Sequence, residues 1–145
     1  MGRNVSSLVA FVLGVGGLVY LVMTRTLFHN NPITIVAQAG AVVLVVWARK
    51  TLGLRSFHAA ASPTSGALIT TGPYRWWRHP IYAAVIYFAW AGVLPQLTLP
   101  SAAAALLVTA GMVVRMRMEE KLLGEKYPGY DAYCKTVKRV VPFVV

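Results

Sequence analysis

The apolar positions fall into long uninterrupted blocks rather than into one face of a repeating pattern. Val5 to Met23 carries no charge over nineteen residues, about the length that crosses a ~30 Å hydrocarbon layer as a helix. Pro32 to Ala48 forms a second block, opened by Asn30-Asn31-Pro32 and closed by Arg49-Lys50. Its Gln38 is expected to face protein rather than lipid. No formal charge occurs between His79 and Val114, but Pro95 and Pro100 divide that stretch. Proline lacks the N–H that a helix interior needs, so the pattern predicts a hairpin. One helix runs from Pro80 to about Leu94 and the next from about Ser101. The second continues beyond its apolar part, because Arg115 to Lys126 holds no proline and one glycine; Tyr127-Pro128-Gly129 then ends it.

Residues 49–79 read as a basic linker with turns at Ser62-Pro63-Thr64-Ser65-Gly66 and Thr70-Thr71-Gly72-Pro73. The pattern predicts an all-α polytopic membrane protein of about four transmembrane helices, with a C-terminal helical hairpin and a cytoplasmic tail helix. A single domain over 1–145 is expected, with two N-terminal spans in 1–48 and the rest of the fold in 49–145. The first block is expected to be retained, since Thr24-Arg25-Thr26 is a poor match to a small-residue cleavage site. Gly14, Gly16 and Gly17 lack the lysine and strand context of a phosphate loop and suit close helix packing instead.

Composition strengthens the membrane reading. Hydrophobic residues make up 57% of the chain and charged ones only 12%, against about a quarter charged in soluble domains. Too little polar surface remains to cover a water-facing globule. The formal charge of +10 invites comparison with nucleic-acid binders, but the basic residues lie between apolar blocks, beside lipid headgroups; no nucleic-acid partner is expected. With four crossings, thirteen of the fourteen Lys and Arg residues fall on one side, leaving Arg25 on the other. The positive-inside rule makes that side cytoplasmic, with both termini. Cys134 is the only cysteine, which excludes an intrachain disulfide, and His29, His58 and His79 are scattered; no metal site is expected.

Two polar clusters reach the same membrane face in this topology. One is Gly72-Pro73-Tyr74-Arg75-Trp76-Trp77-Arg78-His79-Pro80-Ile81-Tyr82, the other Arg115-Met116-Arg117-Met118-Glu119-Glu120. Separately each has an ordinary explanation: an interfacial tryptophan belt, a helix beginning with proline, and a solvated acidic face paired with Arg117 and Lys121. Together they ask for more. All four acidic residues lie between Glu119 and Asp131, and adjacent carboxylates at the exit of a membrane helix are costly without partners. Arg115 and Glu119, four residues apart, share a helix face.

The string Arg78-His79-Pro80-Ile81-Tyr82, followed a helical hairpin later by Glu119-Glu120, resembles the signature of isoprenylcysteine carboxyl methyltransferases and the related phospholipid methyltransferases. Trp47-Ala48-Arg49, Leu52-Gly53 and Thr71-Gly72-Pro73-Tyr74-Arg75 are similar to the approach to that motif. Tyr127-Pro128-Gly129-Tyr130-Asp131-Ala132-Tyr133, with Arg139 and Pro142, is similar to its end. The resemblance covers roughly residues 47–143. It implies that 49–145 is the catalytic core and that S-adenosyl-L-methionine is the methyl donor. Gly66, Ala67, Leu68, Ile69, Tyr74, His79, Pro80, Ile81, Tyr82, Glu119 and Glu120 match the donor-binding positions, and Arg115 matches an arginine assigned to the substrate. Arg115, Glu119 and His79 are the residues it marks for catalysis. Ala84 departs from the family's usual glycine.

The chemistry of the residues agrees. An acid suits the donor's ammonium, and the faces of Tyr74 or Tyr82 suit its sulfonium or adenine. Methyl transfer is an in-line displacement that orientation in a dry site accelerates. The expected function is methylation of a lipophilic acceptor that enters from the bilayer, a small molecule or a prenylated substrate, with membrane lipids as the other partners. A carboxylate such as a prenylated C-terminal cysteine needs no base near neutral pH and suits a bidentate Arg115. The alternatives are a phospholipid amine, for which His79 or Glu120 would act as base, a small lipophilic thiol or acid, and a non-catalytic membrane scaffold.

Overall fold

The computed structural model describes residues 2–53 and 68–141, with side chains from Leu8 onward. Among the described residues five α-helices follow in order: α1 (Gly2–Met23), α2 (Pro32–Leu52), α3 (Pro80–Val93), α4 (Leu99–Lys126) and α5 (Tyr130–Thr136). No strand occurs among the described residues; the nearest approach is one parallel bridge, Trp77 to Lys138. The all-helical expectation holds. Among the described residues two helices, Pro32–Leu52 and Leu99–Lys126, are long and apolar enough to cross a membrane, while Leu8–Met23 and Pro80–Gln96 are shorter apolar segments.

Local chemistry sets the helix ends. Asn31 caps α2 by accepting from the Ile33 N–H at 2.9 Å, with Pro32 pre-set in the first turn. The hairpin turn is tighter than the prolines alone suggest. Leu94–Gln96 continues α3 as a short 3-10 turn, and α4 begins at Leu99 rather than Ser101. Thr98 accounts for the difference: it and Ser101 form a capping box that sets Pro100 in the first helical turn. The expected turn at Thr70-Thr71-Gly72-Pro73 becomes a 3-10 turn, Gly72–Arg75. Gly72 has φ +59°, and a β-carbon there would stand 2.5 Å from the Thr51 hydroxyl. The turn expected at 62–66 lies outside the described residues.

Packing pairs α1 with α4, α2 with α3, and α3 with α4. Leu21, Leu27, Ala89, Val93, Ala104, Ala105 and Val108 form the largest buried cluster. Gly14 and Gly17 lie on α4, as expected of close packing, whereas Gly16 meets nothing within 4 Å. Gln38 does face protein, donating to the carbonyls of Leu27 at 2.9 Å and Phe88 at 3.4 Å. Ala84 is fully buried against Ala41 and Leu44, so its methyl group fills the α2–α3 contact. Large apolar side chains on α1 and α2, among them Val12, Val19, Ile33, Val36 and Val43, are exposed, as a lipid-facing surface requires.

A further cluster, Ile86, Met112 and Met116, joins α3 to α4, with Tyr82 and Val140 packed against it.

Candidate functional site

The N-terminus of α3 and the polar end of α4 meet in one place. His79 precedes α3 and is buried, with 4% of its surface exposed. Its imidazole stands between the two adjacent acids: Nε2 is 3.2 Å from Glu120 Oε1, and Nδ1 is 3.9 Å from Glu119 Oε2. The ring lies 5.7 Å from that of Tyr82, one turn into α3.

The two acids have different surroundings. Arg139 Nε donates to both Glu120 oxygens at 3.0 Å, and its Nη2 reaches Oε2 at 2.9 Å. Arg78 Nη1 contacts Oε1 at 2.9 Å. With His79 added, three side chains engage one carboxylate whose own exposure is 11%. Among the described residues neither acid forms an ion pair with Arg117 or Lys121, the ordinary reading of that face taken by itself. The polar last third of α4 stands beyond its apolar stretch, and there burial alone would raise the Glu120 pKa. Hydrogen bonds from His79 and Arg139 and the charge of Arg78 outweigh burial and bring it down to about 2. A carboxylate held that low is a poor proton acceptor near neutrality, which disfavours Glu120 as the base considered for an amine acceptor.

Glu119 points the other way, with 34% of its side chain exposed. The Tyr82 hydroxyl hydrogen-bonds with both Glu119 and Arg115, so the shared helix face of the latter two is real and Tyr82 bridges them. Tyr74 feels Glu119 and Tyr82 as well. Burial, then the Glu119 carboxylate, pushes its hydroxyl well above the usual tyrosine range, so it remains a protonated donor. Five of the expected residues (Tyr74, His79, Tyr82, Arg115 and Glu119) therefore share one site. Pro80 is buried at the start of α3 and Ile81 is half-buried beside it. Leu68 and Ile69 are partly buried on the approach to the Gly72–Arg75 turn; Gly66 and Ala67 lie outside the described residues.

A family model for phospholipid methyltransferases matches residues 31–129. The chain belongs to the phospholipid methyltransferase family. No curated protein and no solved structure matches it. The phospholipid methyltransferases belong to the same group of membrane methyltransferases as the isoprenylcysteine carboxyl methyltransferases, so the resemblance holds at the level of that group. The matched span contains Tyr74, His79, Tyr82, Arg115, Glu119 and Glu120.

Further residues of the candidate site lie in the tail and in α1, outside the matched span. The tail returns beside the loop before α3: Arg78 N–H donates to the Lys138 carbonyl at 2.7 Å and His79 N–H to the Arg139 carbonyl at 3.3 Å. Tyr133 donates to the Tyr74 carbonyl, and Arg78 Nη1 lies 3.0 Å from Cys134 Sγ. Arg115 stacks over Phe11 of α1, its guanidinium carbon 5.0 Å from the ring centroid. Arg78, Arg139 and Phe11 are the site residues that sequence reasoning missed. Arg78 and Arg139 stood within strings already singled out, and two adjacent acids needing counter-charges were their signal. Phe11 had none.

Proposed function

We propose that this phospholipid methyltransferase family member is a four-pass integral-membrane enzyme that transfers a methyl group from S-adenosyl-L-methionine to a lipophilic acceptor. The carrying observation is the split between the adjacent acids: Glu120 is neutralised by Arg78, His79 and Arg139, while Glu119 is partly exposed beside Tyr74, Tyr82 and Arg115. That set fits the donor. Glu119 holds the ammonium by a charge-assisted contact, and the two tyrosines offer aromatic faces to the adenine or sulfonium. When bound, S-adenosyl-L-methionine supplies an electrophilic methyl on a sulfonium centre.

The remaining work belongs to the chain. Glu120, fixed by two arginines, orients His79 and so sets the wall against which Glu119 and Tyr82 stand. Arg115, held between the Tyr82 hydroxyl and the Phe11 ring, faces the acceptor and fixes a carboxylate in line by its planar fork. Such an acceptor arrives ionised, and no proton has to be removed. Four crossings with cytoplasmic termini put this site at the cytoplasmic face, open to acceptors from the bilayer.

The family match favours a second acceptor, a phospholipid amine. There the free base must form first, and His79 is the group placed to take the proton, since Glu120 holds its own charge too firmly. Turnover against pH separates the two. For a carboxylate, the rate stays flat from about pH 6 to 8, and Arg115→Lys, which keeps charge but loses the fork, cuts turnover sharply with donor affinity unchanged. A steep alkaline rise, with Arg115→Lys near wild type, selects the amine. Absence of both turnover and donor binding would leave only a scaffold.

A further inference from the structure

Tyr87 lies outside the donor residues, yet it touches the tail that completes their site. It stands on α3 two turns, or about 10 Å, beyond Pro80. Helical side chains lean toward the helix N-terminus, which carries its hydroxyl back toward Trp77 and His79. The ring packs with Trp77 against Ala41, Leu44 and Ala84. Its hydroxyl accepts from Trp77 Nε1 at 3.3 Å and donates to the Val140 carbonyl. That carbonyl belongs to the residue after Arg139, whose guanidinium binds both oxygens of Glu120.

The tail needs such a contact. Among the described residues its backbone pairing amounts to one bridge, Trp77 to Lys138. Two hydrogen bonds accompany it, from the Arg78 and His79 N–H groups to the Lys138 and Arg139 carbonyls. So short a ladder specifies register weakly, and a slip of one residue turns every side chain to the other face. Arg139 would then leave Glu120. Burial does not hold it either, since 42% of its side chain is exposed. Two tyrosines bracket it instead. Tyr133, in α5 and well before Arg139, donates to the Tyr74 carbonyl. Tyr87 holds the very next residue, and does so from a helix packed on both sides.

We propose that Tyr87 is a positioning residue: its bond to the Val140 carbonyl sets the register of the tail, keeps Arg139 on Glu120 and so orients His79 between the two acids. Glu120 Oε1 stands 3.2 Å from His79 Nε2. With Arg139 displaced, Arg78 alone among the arginines holds that carboxylate, and the imidazole turns with it. The consequence for the methyl donor rests on Glu119 being its ligand; the effect on His79 does not.

The test is Tyr87→Phe, which keeps the packed ring and removes only the hydroxyl, beside Arg139→Gln and the double variant, all as full chains in detergent. S-adenosylhomocysteine is titrated into each, and the His79 ring is followed by NMR with isotope-labelled histidine. Tyr87→Phe should weaken binding by about two- to tenfold, the effect of one neutral hydrogen bond, and Arg139→Gln by at least as much. A group that acts through Arg139 has nothing left to position once Arg139 is gone. The double variant should therefore bind no more weakly than Arg139→Gln. The His79 signal should move in Tyr87→Phe in the direction that Arg139→Gln moves it, and no further in the double variant. A hydroxyl that only stabilised the fold would give additive losses and leave the His79 signal in place. Either result overturns the proposal, as does unchanged affinity in Tyr87→Phe when the wild type binds. If the wild type binds no S-adenosylhomocysteine, the donor reading falls, and the His79 signal alone decides for or against Tyr87.

Discussion

Glu119 and Glu120 are neighbours in sequence with opposite fates, and the difference is one of counter-charge. Replacing Glu120 with Gln leaves Arg78, at 10% side-chain exposure, and Arg139 without their shared partner; stranding a largely buried charge is strongly destabilising. Glu120→Gln should therefore lower the unfolding midpoint in detergent by several degrees, while Glu119→Gln should leave it close to wild type. The same residue gives a pH dependence. Its carboxyl titrates lower when folded than the ordinary 4.5, at about 2. The stabilisation is complete above 4.5 and is lost as pH falls toward 2. Midpoints measured from pH 6 downward should decline in that window, and less steeply in Glu120→Gln. Most of this site was legible in sequence because its parts lie in two short strings, Tyr74 to Tyr82 and Arg115 to Glu120. The division of labour between the acids was not. It depends on Arg139, which reaches Glu120 only after α5 and the Trp77–Lys138 bridge bring the tail back.

Among the helices, the α1–α4 contact carries the clearest consequence. A β-carbon at Gly111 would stand 2.6 Å from the Ala10 carbonyl oxygen, and one at Gly17 2.7 Å from that of Ala104. These are backbone contacts, which cannot yield without moving a helix. Gly111→Ala should destabilise by about 1–3 kcal/mol through overpacking. Gly16→Ala, open on all sides within 4 Å, should be neutral or slightly stabilising because alanine favours helix. Thermal unfolding of the two variants side by side checks this. Because Arg115 rests on Phe11 of α1, Gly111→Ala should also reduce turnover more than donor binding. Apolar blocks and prolines foretold the helices themselves; the α4 start was misplaced by two residues because the cap at Thr98 is a hydroxyl signal, not a hydrophobic one. Which glycines pack was illegible, since helix rotation depends on neighbours that charge-free runs do not encode.

At the scale of the whole molecule, the thirteen-to-one division of basic residues predicts the orientation of the site. After Cys134→Ser, a cysteine introduced near His29 should react with a membrane-impermeant reagent in intact cells, and one at Lys135 should not. The reverse labelling would put the His79–Glu119 site on the other face. The donor and acceptor assignments both hang on whether Glu119 is a ligand. Titration of S-adenosylhomocysteine into the purified wild type and Glu119→Gln proteins asks this most directly. The account predicts saturable binding to the wild type and an affinity roughly tenfold or more weaker in Glu119→Gln, as loss of a charge-assisted hydrogen bond requires. Equal affinity in the two proteins, or no binding to the wild type, would contradict it.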